Sequence, residues 1–389
     1  MNFSKRTNWN TEANPLTLKL EALRAHPEFI NLTVSNPTEC GFEYLKTGLL
    51  SALENPLNLR YESDAHGLPC ARDAIVQYYA QKGISLAPNQ IFVTASTSEA
   101  YTFVFRILLE AGDKILGPAP GYPLMDYLAE INDSVLERYP LIYGKSHGWQ
   151  INREALKQMP PAKVLLVVHP SNPAGSYVST GEQIFLQSWA AQKEMAVISD
   201  EVFYDFSLCG APPAPSFVSQ NGTPTFTLSG ISKVLGLPQM KLSWIVVTGP
   251  EAARNEAIRR LEIVADTYLS ASTPIQRALP IWMAQAPTIQ QEILARLHGN
   301  RAFLEDQLKG STKVSILAAQ GGWSAVLRMP GSQSDEAWTL ALLKKSKILI
   351  HPGYLYDITE ENCLVLSLLI PPERFKEGIK RFKIFLEDQ

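Results

Sequence analysis

The chain has 389 residues, of which 46% are hydrophobic and 19% are charged, and its formal net charge is −3. This composition is typical of a folded globular protein of about two domains, and the slightly acidic balance gives no electrostatic reason to expect binding to nucleic acid. No apolar run approaches the roughly 18 residues that a membrane helix needs, so we expect no membrane partner either.

The thiols and the N-terminus indicate a cytoplasmic protein. The first ten residues lack the basic-then-apolar pattern of a signal peptide. The cysteines are scattered and form no close pair, which is typical of reduced thiols: Cys40, Cys70, Cys209 and Cys363. The six histidines show no metal-ligand spacing, so no metal site is predicted.

Strand and helix patterns alternate through the first two thirds of the chain. Residues 1–45 are irregular and interrupted by prolines, which indicates an arm that wraps another part of the molecule. A helix is predicted over 67–83, where apolar side chains recur on one face. Further patterns predict strands over 90–95, 114–116, 163–169, 196–200, 225–228 and 244–248, and helices over 98–110 and 182–193. The alternation indicates an α/β fold, with a mostly parallel sheet covered by helices on both faces.

The pattern changes after residue 248. Helical segments between 251 and 308 lead to short strands over 314–317, 323–328 and 364–369, and to a final amphipathic helix over 373–386. We therefore expect three parts: an N-terminal arm (1–45) that contributes to a small domain, a large domain (46–275), and a small α+β domain (276–389).

Lys233 is the residue that points most directly to chemistry. It lies in Ser229-Gly-Ile-Ser-Lys-Val-Leu-Gly, between the apolar segments 225–228 and 242–247. Because burial disfavours the ammonium form, a lysine in this context can lose its proton and attack a carbonyl. Pyridoxal phosphate is the usual carbonyl partner of a Schiff-base lysine in enzymes.

Three further groups follow predicted strands, where ligands collect in an open parallel sheet. Ser96, Thr97 and Ser98 begin a helix, and they form either an anion site or a helix N-cap. Asn172, in Asn-Pro-Ala-Gly, is equally typical of a turn. Asp200 ends a buried strand, where its carboxylate needs a partner. A protonated pyridine nitrogen would serve, and backbone amides are the alternative.

The order and spacing of these motifs resemble the fold-type I pyridoxal phosphate enzymes, specifically the class I and II aminotransferases, from about Leu32 to the C-terminus. The resemblance implies that Lys233 forms the Schiff base, that Asp200 bonds the pyridine nitrogen and that Asn172 bonds the 3′ oxygen. It implies a homodimer with shared active sites. Further implied contacts are the phosphate-binding Ser96, Thr97, Ser98, Ser232 and Lys241, the ring-stacking Tyr122, and Tyr61 and Ser272 from the neighbouring subunit.

Three positions near the expected cofactor depart from the family pattern. Phe203 stands where tyrosine is usual, so the Schiff base is expected to keep its proton to higher pH. Tyr204 is adjacent, but in a strand it would point to the other face. Lys241 replaces an arginine and offers a point donor instead of a fork. Gly230 replaces a frequent serine, so one phosphate hydroxyl is expected to be lost.

The substrate end departs further. The family's arginine for the α-carboxylate falls on Val365, and the residue for a side-chain carboxylate falls on Tyr268, which disfavours a dicarboxylate substrate. Either another cation binds the α-carboxylate, with Arg60 and Lys114 as candidates, or the amino donor is not a simple α-amino acid.

Other residues are expected near the substrate. Ser35 is assigned to the substrate pocket, and the loop His351-Pro-Gly-Tyr354 is expected over it with Tyr354 at its wall. Trp323 is expected either in the pocket or in the core. His66 and His169 are expected to be structural.

The sequence thus predicts a pyridoxal phosphate-dependent aminotransferase that moves an amino group between an amino donor and a keto acid in two half-reactions. Lys233 is the expected general base and Asp200 the group that keeps the ring electron-withdrawing. One alternative is another reaction on the same scaffold, by a β-lyase, a decarboxylase or a cyclase. The other is a non-catalytic pyridoxal phosphate-binding module.

Overall fold

A computed structural model describes residues 1–10, 12, 15–23, 26–46, 48–210, 214–358 and 362–388. Its strands are β1 (Ile30–Asn31), β2 (Ile91–Thr94), β3 (Lys114–Ala119), β4 (Val135–Gly144), β5 (Gly148–Ile151), β6 (Val164–Val168), β7 (Ala196–Asp200), β8 (Thr225–Gly230), β9 (Ser243–Thr248), β10 (Ser315–Ile316), β11 (Ser324–Arg328), β12 (Ile348–Leu349), β13 (His351–Pro352) and β14 (Cys363–Ser367).

The α-helices are α1 (Pro15–Leu23), α2 (Pro69–Ala80), α3 (Thr97–Leu108), α4 (Met125–Ile131), α5 (Arg153–Lys157), α6 (Thr180–Gln192), α7 (Ile231–Val234), α8 (Glu251–Tyr268), α9 (Thr273–Ala284), α10 (Ala286–Leu308), α11 (Asp335–Ser346) and α12 (Pro372–Glu387). Short 3₁₀ turns span Lys5–Thr7, Pro37–Glu39, Glu43–Lys46, Leu49–Leu53, Pro56–Leu59, Pro88–Gln90, Phe217–Ser219, Pro238–Met240 and Gly353–Tyr356.

The large sheet has eight strands in the order β2-β9-β8-β7-β6-β3-β4-β5. Strands β8, β7, β6, β3 and β4 run parallel to one another. Strand β9 is antiparallel to both of its neighbours, β2 and β8, and β5 is antiparallel to β4. Because parallel strands need helical crossovers, helices cover both faces. This is the α/β architecture that the alternating pattern predicts.

Strand β9 shows how one strand feeds two cores. Its residues Trp244 and Val246 belong to the apolar cluster shared with α2 and α9, whereas Ile245 and Val247 belong to the cluster shared with α3 and α8. Successive side chains of a strand point to opposite faces, so a strand buried on both sides reads as a continuous apolar run. That is why these strands were recognisable in the sequence.

The C-terminal region builds a second, four-stranded antiparallel sheet in the order β10-β11-β14-β13, with α10, α11 and α12 packed together beside it. The N-terminal arm joins this region through β1, which pairs in parallel with β12. The first ten residues instead contact α4 of the large sheet's domain, where Arg6 binds Asp133 and Trp9 packs edge-on against Tyr127.

Several predicted elements have the predicted bounds within a few residues, and β7 matches them at both ends. Strands β4 and β5 and helix α4 were not predicted. The expectation that Phe203 and Tyr204 continue a strand was wrong, because β7 ends at Asp200 and residues 202–205 form a turn. None of the helices in the described ranges combines the length and apolarity needed to cross a membrane.

Candidate active site

A cavity of about 440 Å³ lies where the carboxyl ends of the large-sheet strands meet the small sheet. Strands β2, β6, β7 and β8 end at its wall, and β11 and β14 close it from the other side. The predicted site residues that line it are Ser35, Ser96, Thr97, Ser98, Tyr122, Asn172, Asp200, Phe203, Ser232, Lys233, Trp323, Lys241 and Val365. Residues 200 positions apart in the chain therefore share one cavity.

Lys233 lies in the short helix α7 that follows β8, and its amine faces an aromatic pair. Its Nζ is 5.4 Å from the ring centre of Phe203 and 4.8 Å from that of Trp323. Burial lowers the pKa of Lys233 to about 8, against the opposing attraction of Asp200. A lysine with this pKa has a much larger fraction of reactive free amine near neutral pH than a lysine in water has.

Asp200 is held by two donors at the end of β7. Its Oδ2 accepts a hydrogen bond from the Tyr101 hydroxyl at 2.8 Å, and its Oδ1 accepts one from the backbone N–H of Val202 at 3.1 Å. Burial raises the pKa of Asp200, while these bonds and Lys233 oppose that shift. A cationic ring nitrogen beside it would favour the ionised carboxylate, so the site fits a pyridinium.

Tyr101 is a site residue that sequence reasoning missed. It lies on the buried face of α3, one turn after the serines that begin the helix. The sequence predicted the helix, but only the packing of α3 on the large sheet, over β8 and β9, shows that the hydroxyl reaches Asp200.

The phosphate-binding residues expected from the sequence gather at three adjacent strands. The register pairs Thr94 of β2 with Ser243 of β9, and Ser243 with Gly230 of β8. The segments that follow β2 and β8 therefore begin side by side, and they carry the hydroxyls of Ser96, Thr97, Ser98 and Ser232, with Lys241 just before β9. Hydroxyls, helix N-terminal amides and one lysine are a donor set that fits a phosphate.

Ser96 satisfies both interpretations of its motif. Its hydroxyl accepts a hydrogen bond from the backbone N–H of Glu99 at 3.1 Å, so it is the N-cap of α3. It also lines the cavity together with Thr97 and Ser98. An N-cap that faces a cavity leaves the other amides of the first helical turn available to an anion.

Ser243 fills the place of the side chain that Gly230 lacks. A Cβ atom at Gly230 would collide with the Ser243 hydroxyl, which lines the cavity. The sequence predicted the loss of one hydroxyl here, but it could not show that the neighbouring strand brings another hydroxyl to the same spot.

Three residues after Asp200, where the family pattern has a tyrosine, the cavity wall carries the ring of Phe203, which has no hydroxyl. Phe203 lies in the turn after β7 and packs edge-on against Trp323, with ring centres 5.3 Å apart. The Tyr204 hydroxyl points elsewhere and donates to the carbonyl of Ala214 at 3.0 Å. The opposite side of the cavity is formed by Tyr122, which is partly exposed, and by Asn172.

The small sheet presents one face to the cavity. Ser324 pairs with Ser367, and Val365 pairs with His351, in neighbouring strands. These four side chains all line the cavity. Val365 is buried, so the position where the family pattern has an arginine carries an apolar side chain.

Arg138 is a second residue that sequence reasoning missed. It lies in the unpredicted strand β4 and lines the cavity. Its Nη2 is 2.6 Å from a carboxylate oxygen of Asp126 and 3.0 Å from one of Asp357. Its Nη1 donates to the carbonyl of Pro118 at 3.2 Å. The guanidinium therefore bridges the large-sheet domain and the loop that follows β13.

Four predicted site residues lie outside this cavity wall. Tyr61 and Ser272 are exposed near one another, around a separate surface cleft that Tyr61 and Thr273 line. Tyr268 is exposed and packs against Phe103. Tyr354 is also exposed, and it is Tyr356 of the same loop that reaches the cavity.

The two proposed substitutes for the missing arginine do not line the cavity. Lys114 is at the start of β3, the end opposite the cavity, and pairs with Glu137. Arg60 lies on the exposed surface after a 3₁₀ turn. His169 is buried and accepts a hydrogen bond from Val178, and His66 stacks on Phe92. In the described parts of the chain no cluster of metal-ligating side chains occurs.

Comparison with known proteins gives this geometry a family. The chain is 27% identical to a glutamate–pyruvate aminotransferase of Haemophilus influenzae, over 95% of this chain and 94% of that one. It is 25% identical to a valine–pyruvate aminotransferase of Mycobacterium tuberculosis, with the same coverage. The solved structure of an alanine aminotransferase from Pyrococcus furiosus matches all of both chains with a TM-score of 0.89 and 24% identity.

These relatives are all aminotransferases, so they do not favour the lyase, decarboxylase, cyclase or non-catalytic alternatives. The family model for class I and II aminotransferases matches residues 27–382, which is most of the chain. This protein therefore belongs to the family of class I and II aminotransferases, and it is a transaminase.

Proposed function

We propose that this aminotransferase works with pyridoxal phosphate bound through Lys233, as members of its family use that cofactor. The observation that carries the proposal is the shared cavity of Lys233, Asp200 and the phosphate-type donor set around Ser243. A reactive amine, a held carboxylate and an anion site match the three ends of this cofactor: aldehyde, ring nitrogen and phosphate. When bound, the cofactor supplies an electron sink for the bonds of the donor carbon.

The residues have separate tasks in this proposal. Asp200 keeps a proton on the ring nitrogen, and Tyr101 orients the carboxylate through its hydrogen bond. The amine of Lys233, once displaced by the donor, takes the proton from the donor carbon and returns it to the cofactor side. Its depressed pKa keeps it available as a base near neutral pH.

We propose a small amino donor without a second carboxylate, and a keto acid as acceptor. Of the relatives named above, the valine–pyruvate aminotransferase is named for an amino donor without a second carboxylate and the glutamate–pyruvate aminotransferase for one that has it, so the proposal follows the former and the composition of the cavity wall. The wall beyond the expected ring position is built from Trp323, Val365 and small hydroxyl side chains. It suits a short or apolar side chain, because burial of an unpaired second carboxylate would be unfavourable.

We propose that the protein is a homodimer, in which each subunit completes its partner's site. Tyr61 and Ser272 bind the partner's cofactor in this proposal. Exposed apolar side chains lie on nearby elements, namely the 3₁₀ turns over 49–53 and 56–59, the end of α8, and α9: Leu50, Leu57, Leu59, Tyr268, Leu269 and Ile281. Their number supports an interface, because monomeric proteins rarely expose many large apolar side chains in one region. We also propose a cytosolic location, which the four free thiols support.

A spectroscopic screen of the first half-reaction tests the function. Purified protein loaded with pyridoxal phosphate is mixed with single amino donors, and the conversion of the cofactor to its amine form is followed by absorbance. We expect small neutral amino donors to convert the cofactor and aspartate to convert it poorly. If every donor leaves the cofactor unconverted, transamination is wrong.

A further inference from the structure

A histidine lies directly beside Val365 on the neighbouring strand of the small sheet. Strands β13 and β14 are antiparallel, and His351 is the direct partner of Val365 in that pairing. Residues directly opposite one another in adjacent strands point their side chains to the same face of the sheet. Both side chains line the cavity, so His351 is a polar group beside the position where the family pattern has an arginine.

His351 is part of a pair with Tyr356. The Nδ1 atom of His351 and the hydroxyl oxygen of Tyr356 are 3.0 Å apart, and both residues line the cavity. If the hydroxyl donates to Nδ1, the histidine keeps a free N–H at Nε2. If Nδ1 donates to the hydroxyl oxygen, the tyrosine keeps a free O–H. In either arrangement the pair retains one donor for a ligand.

The pair carries no charge over the working range of pH. Burial lowers the pKa of His351 to about 4 and raises the pKa of Tyr356 to about 12. Among the described residues, the one hydrogen bond of the His351 ring is that of Nδ1 with Tyr356, and Nε2 has no partner in the protein. A ligand at this wall therefore meets a neutral donor and not an ion.

The charged groups of the cavity wall already have other partners. In the described ranges these groups are Arg138, Asp200, Lys233 and Lys241. Arg138 contacts the carboxylates of both Asp126 and Asp357, so its positive charge is more than balanced. Lys233 and Lys241 are committed to the cofactor in the proposed function. Within one subunit, the described part of the chain therefore places no free cation at the substrate end.

The pair is held rigidly relative to the expected cofactor. The backbone N–H of Gly121, next to the ring-stacking Tyr122, donates to the carbonyl of Tyr356 at 2.9 Å. The contact of Arg138 with Asp357 adds a second bridge at the next residue of the loop. The donor of the pair is thus fixed in place before a substrate arrives, which lowers the entropic loss on binding.

We propose that His351 and Tyr356 form the subsite for the carbonyl group on the donor carbon, and that this neutral subsite accepts uncharged amino carbonyl compounds, such as amino amides, as readily as amino acids. This inference rests on the proposed function, because it assumes that the donor carbon lies over the cofactor at Lys233. It assigns the two residues a role in specificity, since an arginine at position 365 would select the carboxylate.

Two opposing effects bring the carboxylate and the amide close to parity. Burial removes more hydration from a carboxylate than from an amide, which weakens carboxylate binding when no cation is present. A carboxylate also accepts a stronger hydrogen bond from the neutral donor than an amide oxygen does. In a site with an arginine, the opposite charge offsets the desolvation cost and strengthens the hydrogen bonds, so the carboxylate is favoured.

The test uses two unreactive ligands of the same shape, 3-methylbutanoate and 3-methylbutanamide. Each is titrated into the cofactor-loaded enzyme, and its dissociation constant is read from the change in visible absorbance of the bound cofactor. We expect the two constants to agree within about threefold in the native protein. A preference for the carboxylate of tenfold or more, or failure of the amide to bind, would overturn the proposal.

Variants separate the subsite from the rest of the cavity. We expect His351→Ala and Tyr356→Phe to weaken binding of both ligands by about tenfold, the loss of one hydrogen bond in a buried site. Tyr127→Phe on the exposed face of α4 is the matched control and should leave both constants unchanged. If both subsite variants bind like the native protein, the pair is not the subsite.

Val365→Arg should create a preference for the carboxylate over the amide. With the guanidinium restored, the carboxylate should bind at least about tenfold more tightly than the amide. Circular dichroism and bound-cofactor absorbance establish that this variant is folded, and the His351 and Tyr356 variants decide the question if it is not. Because these ligands do not react, the result is independent of the donor screen: failed conversion of donors refutes the proposed function, whereas a carboxylate-selective native site refutes only this inference.

Discussion

The two ends of the cavity differ in the sheet that forms them and in the kind of side chain they present. The cofactor end consists of residues at the carboxyl ends of parallel strands, and it brings charges and hydroxyls together at Lys233, Asp200 and Ser243. The substrate end is one face of a small antiparallel sheet, where Val365 and His351 offer bulk and neutral hydrogen bonding. The difference teaches that the residues of the cofactor end resemble the family pattern more than those of the substrate end, where Val365 stands at the position of the family's arginine.

The largest expected effect tests the cofactor end. Lys233→Ala removes the amine that both forms the Schiff base and moves the proton. We expect transamination to fall by at least about a hundredfold, the lower bound for losing a general base. Borohydride should no longer fix the cofactor to the protein, as read by mass spectrometry.

Lys114→Ala is the matched control for this change. Lys114 lies at the far end of β3 in a surface pair with Glu137, so its loss should leave both activity and borohydride fixation intact. A reducible Schiff base that persists at this cavity in Lys233→Ala would show that another residue holds the cofactor.

The residues that the sequence assigned to the cofactor end share one cavity, and they could be picked out because their signal is local. A buried strand that ends in a polar residue, as β7 ends in Asp200, can be recognised from five or six consecutive residues. The sheet then brings such strand ends together without further information, since parallel strands share one carboxyl edge.

The substrate end could not be predicted because its signal is non-local. The partnership of His351 with Val365 depends on strand register, and that of Arg138 with Asp357 joins β4 of the large sheet to the loop that follows β13. Gly230 is an intermediate case. Its missing side chain was visible in the sequence, but its compensation by Ser243 requires the pairing of β8 with β9.

Arg138 connects the large-sheet domain to the loop that carries Tyr356. Loss of this connection should affect the substrate end of the cavity more than the cofactor end. Arg138→Gln removes the contacts with Asp126 and Asp357 and releases the loop that carries Tyr356. We expect the KM for the amino donor to rise about thirtyfold, since a partly buried charge pair loses one partner, while kcat changes little. Steady-state kinetics with a donor found in the screen measures this.

Cofactor affinity provides the contrast for Arg138. The dissociation constant for pyridoxal phosphate should stay close to that of the native protein in Arg138→Gln, because the phosphate-type donors lie at the other end of the cavity. Lys157→Gln, which breaks an exposed pair with Glu154, is the control for loss of a surface charge. Equal damage to cofactor and donor binding would mean that Arg138 supports the whole cavity.

Phe203→Tyr tests whether the absence of a phenol at position 203 raises the pKa of the Schiff base. A hydroxyl there would bond the ionised 3′ oxygen and stabilise the deprotonated Schiff base. We expect the pKa of the Schiff base, read from a pH titration of the visible absorbance, to fall by about one unit, the value of one added hydrogen bond to a charged group. If the native protein already shows the low pKa and the variant does not lower it, another group takes the place of the phenol.

Ser243→Ala carries the smallest expected effect. It addresses Gly230, where the family often has a serine and where the Ser243 hydroxyl lies in the space of the missing side chain. If the Ser243 hydroxyl supplies the phosphate contact that Gly230 cannot, its removal should raise the dissociation constant for pyridoxal phosphate about fivefold, the value of one hydrogen bond among several. Thr248→Val, at the opposite end of the same strand, should leave that constant unchanged. Equilibrium dialysis of the cofactor measures both. If Ser243→Ala binds pyridoxal phosphate with the same dissociation constant as the native protein, the close approach of Ser243 to Gly230 is a packing contact alone. The phosphate would then be held without a hydroxyl from β9.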